Sequence, residues 1–145
     1  LVLLPQVYEH TTEQQKVFNE IYRVLKPNGI CFFSGPNRYQ IIEPHYFLPF
    51  LSWLPNRLAT SYLRISKKGN RYDIYPRSYG TLLKLTKNFI RYDYTSKLIK
   101  SPEIFGVDSR VITPIVKVIP MWLIKLLEPF YPNYNWILVK QSDHC

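Results

Sequence analysis

Two short runs of this sequence are apolar at every position, and they constrain the fold more than any other feature. They are Leu1–Leu4 and Ile30–Phe33. A strand with one face in water alternates apolar and polar residues, whereas a strand covered on both faces is apolar throughout. Both runs therefore predict buried strands of a parallel sheet. Because the first run begins the sequence without Met, we expect the natural protein to extend upstream of it.

The segment between the two runs has the pattern of an amphipathic helix. Thr11 or Thr12 is the expected N-cap, with Gln14 or Gln15 as its capping-box partner. Lys26–Gly29 supplies the Pro, Asn and Gly that end a helix and turn the chain. The whole unit is then strand, helix, parallel strand, with a right-handed crossover. The apolar stripe of the helix consists of Val17, Phe18, Ile21, Tyr22, Val24 and Leu25.

The remainder is predicted as an insertion followed by helices and two more strands, so that residues 1–145 form a single partial domain. Residues 1–38 are the βαβ unit, 39–77 are an insertion rich in Pro, Tyr and Trp, and 78–145 are the C-terminal part. Periodicity predicts a helix from Pro55 with Leu58, Tyr62 and Ile65 on one face, helices over Tyr79–Lys87, Val111–Ile119 and Pro120–Leu127, and strands over Phe89–Tyr94 and Tyr134–Val139.

The charge balance permits an acidic partner without identifying one. The 145 residues include 19 Lys and Arg against 10 Asp and Glu, which gives a net charge of +9. The basic residues are spread along the chain with one tight cluster at Arg64–Arg71, a distribution typical of a solvated surface. No recognised RNA-binding motif accompanies them, so nucleic acid is the least favoured partner. The two cysteines form neither a disulfide framework nor a metal site.

Three motifs in order resemble the second half of a class I S-adenosylmethionine-dependent methyltransferase of the type 11/12 kind. They are QVYEH at Gln6–His10, LKPNG at Leu25–Gly29 and SGPNR at Ser34–Arg38, with an apolar strand before the first and before the third. One departure from the family pattern is Asn28, where Gly is usual. Asn tolerates a positive φ, so the turn is retained.

The resemblance implies a partial Rossmann-like α/β sheet with helices on both faces. The family sheet has the order 3-2-1-4-5-7-6 with strand 7 antiparallel, and the four predicted strands correspond to strands 4, 5, 6 and 7. The last strand should therefore lie between those equivalent to 5 and 6. The glycine-rich loop after strand 1 and the acidic residue after strand 2 have no counterpart here, since no G-x-G occurs. We expect the N-terminal cofactor-binding half to be missing.

The same resemblance implies S-adenosyl-L-methionine as the cofactor of the complete protein and assigns roles to the QVYEH loop. Gln6 and Val7 would line the cofactor, and Glu9 and His10 would orient the substrate or act as the catalytic base. An alternative is that Glu9 holds the loop or the next helix N-terminus, with His10 in a hydrogen-bonded structural place.

Residues after the second strand are the candidates for binding the methyl acceptor. Asn37 and Arg38 would reach the substrate from the strand end, and His45 and Tyr46, beside Glu43, would roof its pocket. Turn formation and loop packing are the alternatives. The three histidines, which are His10, His45 and His144, are far apart in sequence, so we expect no metal site.

Two function classes follow. The first is a methyltransferase, acting when complete on a small-molecule or lipid-like acceptor, in the cytoplasm. The second is a non-catalytic or membrane-surface-associated module that retains half the fold, because the basic, aromatic insertion and the MWLIKLL segment at Met121–Leu127 have the composition of surface-binding helices. Fold alone does not choose the acceptor.

Overall fold

The computed structural model describes residues 1–102 and 118–142. In chain order the strands are β1 (Val2–Pro5), β2 (Ile30–Pro36), β3 (Ile42–Glu43), β4 (Leu48–Pro49), β5 (Phe89–Asp93) and β6 (Asn133–Lys140). The α-helices are α1 (Gln14–Val24), α2 (Asn56–Ile65), α3 (Tyr79–Leu85), α4 (Thr95–Lys100) and α5 (Met121–Leu126). Short 3₁₀ turns cover Tyr8–His10, Leu51–Trp53 and Glu128–Phe130.

The central sheet has four strands in the order β1-β2-β6-β5. β1 and β2 are parallel, and β6 runs antiparallel to both of its neighbours, β2 and β5. The last strand in sequence is thus inserted between the second and third long strands. This is the order expected for strands 4, 5, 7 and 6 of the methyltransferase sheet, and the prediction of a partial Rossmann-like sheet is confirmed.

One face of this sheet carries the main hydrophobic core. Phe33 and Trp136 are paired across β2 and β6 with their ring centroids 5.3 Å apart, and both side chains are fully buried. Phe18 of α1 packs on Phe33 at 5.6 Å, and α3 and α5 add Leu82 and Ile124 to the same cluster. The helices that contribute to this core therefore lie on one side of the sheet.

The opposite face of the sheet remains open in the described part of the chain. Leu3, Phe32, Ile137 and Tyr92 are in register across the four strands, so their side chains project from the same face. Leu3 is 65% exposed and Tyr92 is 53% exposed. The expectation that Leu1–Leu4 is covered on both faces is therefore wrong for the described residues, where Leu4 alone of that run is buried. An apolar run of this kind suits a strand with a layer packed on each face, and the described residues supply a layer on one face only.

Helix α1 forms where it was predicted and turns most of the predicted stripe to the core, but it has no capping box. Phe18, Ile21 and Gln14 are its buried residues, whereas Val24 is 53% exposed. The Gln14 side chain is buried because its amide donates hydrogen bonds to backbone carbonyls of neighbouring loops and does not cap the helix N-terminus. The hydroxyl of Thr11 accepts a hydrogen bond from the Glu13 N–H at 3.1 Å, outside the helix. The turn at Asn28 has a φ of 59°, which confirms the expected left-handed conformation.

The insertion builds a second, smaller core of its own. The β3–β4 hairpin, the Leu51–Trp53 turn and α2 surround this cluster, and neither the hairpin nor α4 was predicted from sequence. Helix α2 turns Ala59 and Leu63 inward, while Leu58 is 57% and Ile65 is 81% exposed, so the predicted inward face was wrong. A small Ala side chain lets the helix approach the cluster closely. The cluster consists of Leu48, Leu51, Ala59, Leu63, Tyr72 and Ile74.

The remaining predictions of secondary structure are largely confirmed. Helix α3 begins after Ser78, and α5 occupies most of the predicted Pro120–Leu127 segment. Most of the predicted helix Val111–Ile119 lies outside the described residues. Within the described part of the chain, no helix combines the length and hydropathy that crossing a bilayer requires.

Candidate functional site

The loop after β1 begins with a strained residue that links three strands. Gln6 has a φ of 50°, a left-handed conformation that costs a non-glycine residue roughly 1–2 kcal/mol. Its backbone N–H donates to the Ser34 carbonyl at 2.7 Å, and its side-chain amide donates to the Asn133 side chain at 2.8 Å. The next residue, Val7, is 49% exposed. Gln6 and Val7 therefore lie at the carboxyl ends of the parallel strands, where open α/β sheets place their ligands.

Tyr8 fixes this loop against the end of β2. Its hydroxyl donates to the Pro36 carbonyl at 2.5 Å and accepts the Arg77 N–H at 3.0 Å. Its ring lies over Gly35, where an added Cβ would be 2.3 Å from the ring atom Cε1. Burial raises the pKa of this phenol well above its ordinary value, so the hydroxyl stays protonated. No sequence pattern pointed to this role, which arises from contacts between distant segments.

Gln14 and the segment at Tyr75–Arg77 hold the other side of the loop. The Gln14 amide donates to the carbonyls of Tyr8 at 3.1 Å and Tyr75 at 2.8 Å, and its oxygen accepts from Arg77 Nε at 2.5 Å. The Tyr75 N–H donates to the Glu9 carbonyl at 2.7 Å. The loop from Gln6 to His10 is therefore a rigid platform, because both of its sides are tied to other parts of the chain.

Glu9 is the most unusual side chain of the platform. It is fully buried, and neither carboxylate oxygen has a hydrogen-bond partner among the described residues. Burial raises the pKa of this carboxyl above its ordinary value. No hydrogen bond among the described residues ties this carboxylate to the loop or to the N-terminus of the following helix.

The fold brings His10 and His45 together beside Glu9. Their ring centroids are 5.3 Å apart in an edge-to-face arrangement, and the candidate ligand atoms of Glu9, His10 and His45 all lie within 4.8 Å of one another. The expectation of no metal site rested on the sequence separation of the histidines. The insertion folds back so that His45 lies next to His10, and separation in sequence is therefore no argument against a metal site here. His144, the third histidine, lies outside the described residues.

The other predicted substrate residues are placed differently. Asn37 is fully buried, and its amide nitrogen donates to the carbonyls of Pro129 and Tyr131 and to the Tyr134 hydroxyl at 2.8 to 2.9 Å. Its donors are thus engaged in holding the chain before β6 rather than open to a ligand. Arg38 is half-buried after Asn37, and the Tyr46 ring packs on Tyr72 of the insertion core at 6.1 Å.

A cavity of about 560 Å³ opens at the carboxyl ends of β1 and β2. Its lining includes Gln6, Gln40, His45 and Asn133. The side-chain nitrogen of Gln40 is buried and has no hydrogen-bond partner in the described part of the chain. Gln40 carried no signal in the sequence, because only the fold of the insertion places it in the cavity wall.

A second cavity, of about 530 Å³, lies beside β5 and α5. Arg91, Asp93 and Glu128 contribute its charged lining, together with Lys97 and Lys125. Burial, reinforced by Asp93, raises the pKa of Glu128 to about 7. This cavity lies away from the loop that follows β1, so we assign the ligand site to the first cavity.

Comparison with protein-family models gives a match for one segment of the chain. Residues 1–33 match the family model described as a methyltransferase domain. The match runs from β1 into β2. It contains the platform loop, so the resemblance based on QVYEH and LKPNG is confirmed for this segment. No curated protein sequence matches the chain.

Comparison with solved structures also returned a similar protein. It is Haemonchus contortus phospholethanolamine N-methyltransferase 2, in complex with phosphomonomethylethanolamine and S-adenosylhomocysteine. The sequence identity is 16% and the TM-score is 0.44. The alignment covers 97% of this chain and 33% of that protein, so this chain spans about a third of its length.

Proposed function

We propose that this chain is the part of a class I methyltransferase domain that carries strands 4 to 7, and that the complete domain transfers a methyl group from S-adenosyl-L-methionine. The observation that carries the proposal is the sheet order β1-β2-β6-β5 with β6 antiparallel, combined with the methyltransferase match of residues 1–33. The match covers β1, α1 and most of β2, whereas the strand order also involves β5 and β6 from the remainder of the chain.

The proposed site is the first cavity together with the platform loop. Gln6 and Val7 would contact the cofactor, and His10 and His45 would face the acceptor. A cavity of about 560 Å³ falls within the range of roughly 300–1,000 Å³ that small-molecule sites occupy. This favours a small-molecule acceptor or the headgroup of a lipid-like one.

The proposal is tested on the protein encoded by the complete reading frame that contains this chain. We expect that protein to form S-adenosylhomocysteine from S-adenosylmethionine and to bind the product. Val7→Arg places a long, positively charged side chain at the half-exposed position just after β1. It should weaken S-adenosylhomocysteine binding by about tenfold or more, which corresponds to a loss of some 1.4 kcal/mol of binding free energy. Binding is measured by isothermal titration calorimetry.

Val24→Arg is the matched control, because the two valines are similarly exposed: Val24, on α1, is 53% exposed and Val7 is 49% exposed. This control should leave binding unchanged. Absence of any methyl transfer from S-adenosylmethionine, or equal effects of the two substitutions, would contradict the proposal. The isolated 145-residue chain lacks a G-x-G loop and should bind S-adenosylhomocysteine more weakly than micromolar.

A second candidate function, contact with a membrane surface, rests on the aromatic tip of the insertion. Phe47 is 72% exposed and Phe50 is 48% exposed, and both have positive φ values, of 52° and 56°. The Lys68 ammonium donates to the Phe47 carbonyl at 3.2 Å, within the basic cluster Arg64–Arg71. Strained backbone that presents aromatic side chains beside cations supports a role in binding an anionic lipid surface.

Co-sedimentation with vesicles that contain anionic lipids at low salt tests this candidate. Phe47→Glu should reduce the bound fraction by about tenfold, since burying a Phe side chain is worth roughly 1.5–3 kcal/mol. Val24→Glu is the control, because Val24 is also exposed but lies on α1, outside the basic cluster. Failure of the unsubstituted chain to co-sediment would end this candidate.

A further inference from the structure

The buried carboxylate of Glu9 has no hydrogen-bond partner in the part of the chain that the structure describes. Its side chain is 0% exposed, and both of its oxygens are without hydrogen bonds among the described residues. Removing an ionised carboxylate from water costs several kcal/mol unless a cation or hydrogen bonds compensate. Such a group, held in place by the bonds of its loop, is positioned to take up a cation.

Two imidazoles lie beside this carboxylate and provide the other donors of a metal site. The ligand atoms of Glu9, His10 and His45 lie within 4.8 Å of one another. In a tetrahedral site with bonds of about 2.0–2.1 Å, ligand atoms are roughly 3.3 Å apart. Both histidines are exposed, so small side-chain rotations are enough to close the remaining distance, while Glu9 stays fixed.

Glu43 orients His45 in the manner of an outer-sphere carboxylate. Its Oε1 lies 2.7 Å from His45 Nδ1, and its Oε2 accepts the Tyr46 N–H at 2.8 Å. Glu43 is fully buried, so the geometry of this pair is well defined. With Nδ1 engaged, Nε2 is the nitrogen of His45 that remains for a metal ion. Metal-bound histidines almost always donate their second nitrogen in this way.

We propose that Glu9, His10 and His45 bind one divalent transition-metal ion, with Zn²⁺ as the reference ion, and that Glu43 is its positioning residue. Two imidazoles and one carboxylate are the donors of open zinc sites, which keep a fourth position for water or substrate. Ca²⁺ and Mg²⁺ prefer oxygen ligands throughout, so they should bind weakly. Because His45 also lines the first cavity, a ligand in that cavity would lie next to the ion.

The proposal is tested on tag-free protein that has been stripped with a chelator. Zn²⁺ is titrated in competition with a chromophoric chelator, and Co²⁺ binding is followed by its visible d–d absorption. We expect one equivalent to bind. His10→Ala and His45→Ala, both at exposed positions, should each weaken binding by about 100-fold or more, beyond the roughly 10–100-fold effect of losing an outer-sphere partner.

Further variants separate this site from chance binding by surface histidines. Glu9→Gln should abolish the Co²⁺ spectrum, and Glu43→Gln should weaken Zn²⁺ binding by about 10–100-fold. His144→Ala should leave affinity and stoichiometry unchanged. Circular dichroism verifies that each variant is folded, and the two exposed histidines keep the test decisive if Glu9→Gln does not fold. Failure to bind Zn²⁺, or retention of full affinity in His10→Ala and His45→Ala, would overturn the proposal.

Discussion

At the scale of single residues, the contact between Gly35 and Tyr8 shapes the site most directly. Tyr8 is fully buried, and its hydroxyl bridges the Pro36 carbonyl and the Arg77 N–H. That bridge requires the ring to lie against the backbone of β2, which only a residue without Cβ permits. The position of the Gln6–His10 loop thus depends on a glycine outside it.

Replacing Gly35 by Ala should destabilise the protein and displace the loop. The new Cβ would lie 2.3 Å from Tyr8 Cε1, so the ring must move. Overpacking of this kind costs typically about 1–3 kcal/mol. Urea unfolding measures the free energy of unfolding, and loss of Zn²⁺ binding would report the displaced loop.

Gly80→Ala is the matched control for this substitution. Gly80 lies in α3, and a Cβ there would meet no atom within 4 Å. Since Ala is favoured over Gly in helices by about 0.5–1 kcal/mol, this variant should be slightly more stable. Equal stability of the two variants would show that the contact with Tyr8 is not constraining.

At the scale of elements, β5 and β6 are joined to the turn at Glu128–Phe130 by a polar cluster. The Asp93 carboxylate accepts hydrogen bonds from Trp136 Nε1 and the Thr95 N–H, both at 2.7 Å. The side chain of Glu128 lies beside Asp93, which helps to raise its pKa to about 7. A protonated Glu128 can donate to its neighbours, so this junction is strongest when that proton is present.

The stability of the junction should therefore fall as pH rises. The folded-state pKa of Glu128, about 7, lies above its ordinary value of 4.5, so the folded protein binds this proton more tightly. The contribution is fully present below pH 4.5 and is lost as pH rises through about 7. Glu128→Gln should flatten the dependence of the free energy of unfolding on pH in this window, as measured by urea unfolding.

Glu20→Gln on α1 provides a contrast of opposite sign. A hydrogen bond from Arg23 lowers the pKa of Glu20 in the folded protein. The contribution of Glu20 to stability is therefore present above the ordinary pKa of a glutamate and is lost as the pH falls below that value. This variant should leave the window from pH 4.5 to 7 unaffected. An unchanged slope in Glu128→Gln would contradict the assignment of the pH dependence to Glu128.

At the scale of the whole molecule, the open face of the sheet determines how the chain behaves alone. An apolar row of Leu3, Phe32, Ile137 and Tyr92 crosses all four strands, with a core on the other side. Exposed apolar surface of this extent favours association. In a complete methyltransferase domain of the proposed kind, a further layer would cover it.

We therefore expect the isolated 145-residue chain to self-associate as its concentration rises. Leu3→Glu combined with Tyr92→Glu should shift it towards the monomer, because the charges interrupt the row at both ends. Size-exclusion chromatography with light scattering measures the molar mass against 17.3 kDa for one chain. Ile65→Glu on α2 should have no effect, and a monomer at high concentration without substitutions would refute the expectation.

Local patterns in the sequence determined the four strands of the main sheet, the helices α1, α2, α3 and α5, and the segment that matches the methyltransferase model. Apolar runs identify β1 and β2, the Pro–Asn–Gly turn ends α1, and Ser78 precedes α3. Such signals are carried by residues close in sequence, so they are readable without a fold. The order of the four strands came from the resemblance, and strand pairing confirmed it.

Only the tertiary structure decided which residues form the site. It buried Glu9 with no hydrogen-bond partner among the described residues, engaged Asn37 in the fold, placed Gln40 in a cavity wall and brought His45 next to His10. These outcomes depend on how the insertion packs over the strand ends, since the contacts join segments tens of residues apart. Spacing along the chain therefore cannot show them. The sequence by itself determined the strands of the main sheet, most helices and the resemblance to a family, and long-range packing determined which donors converge.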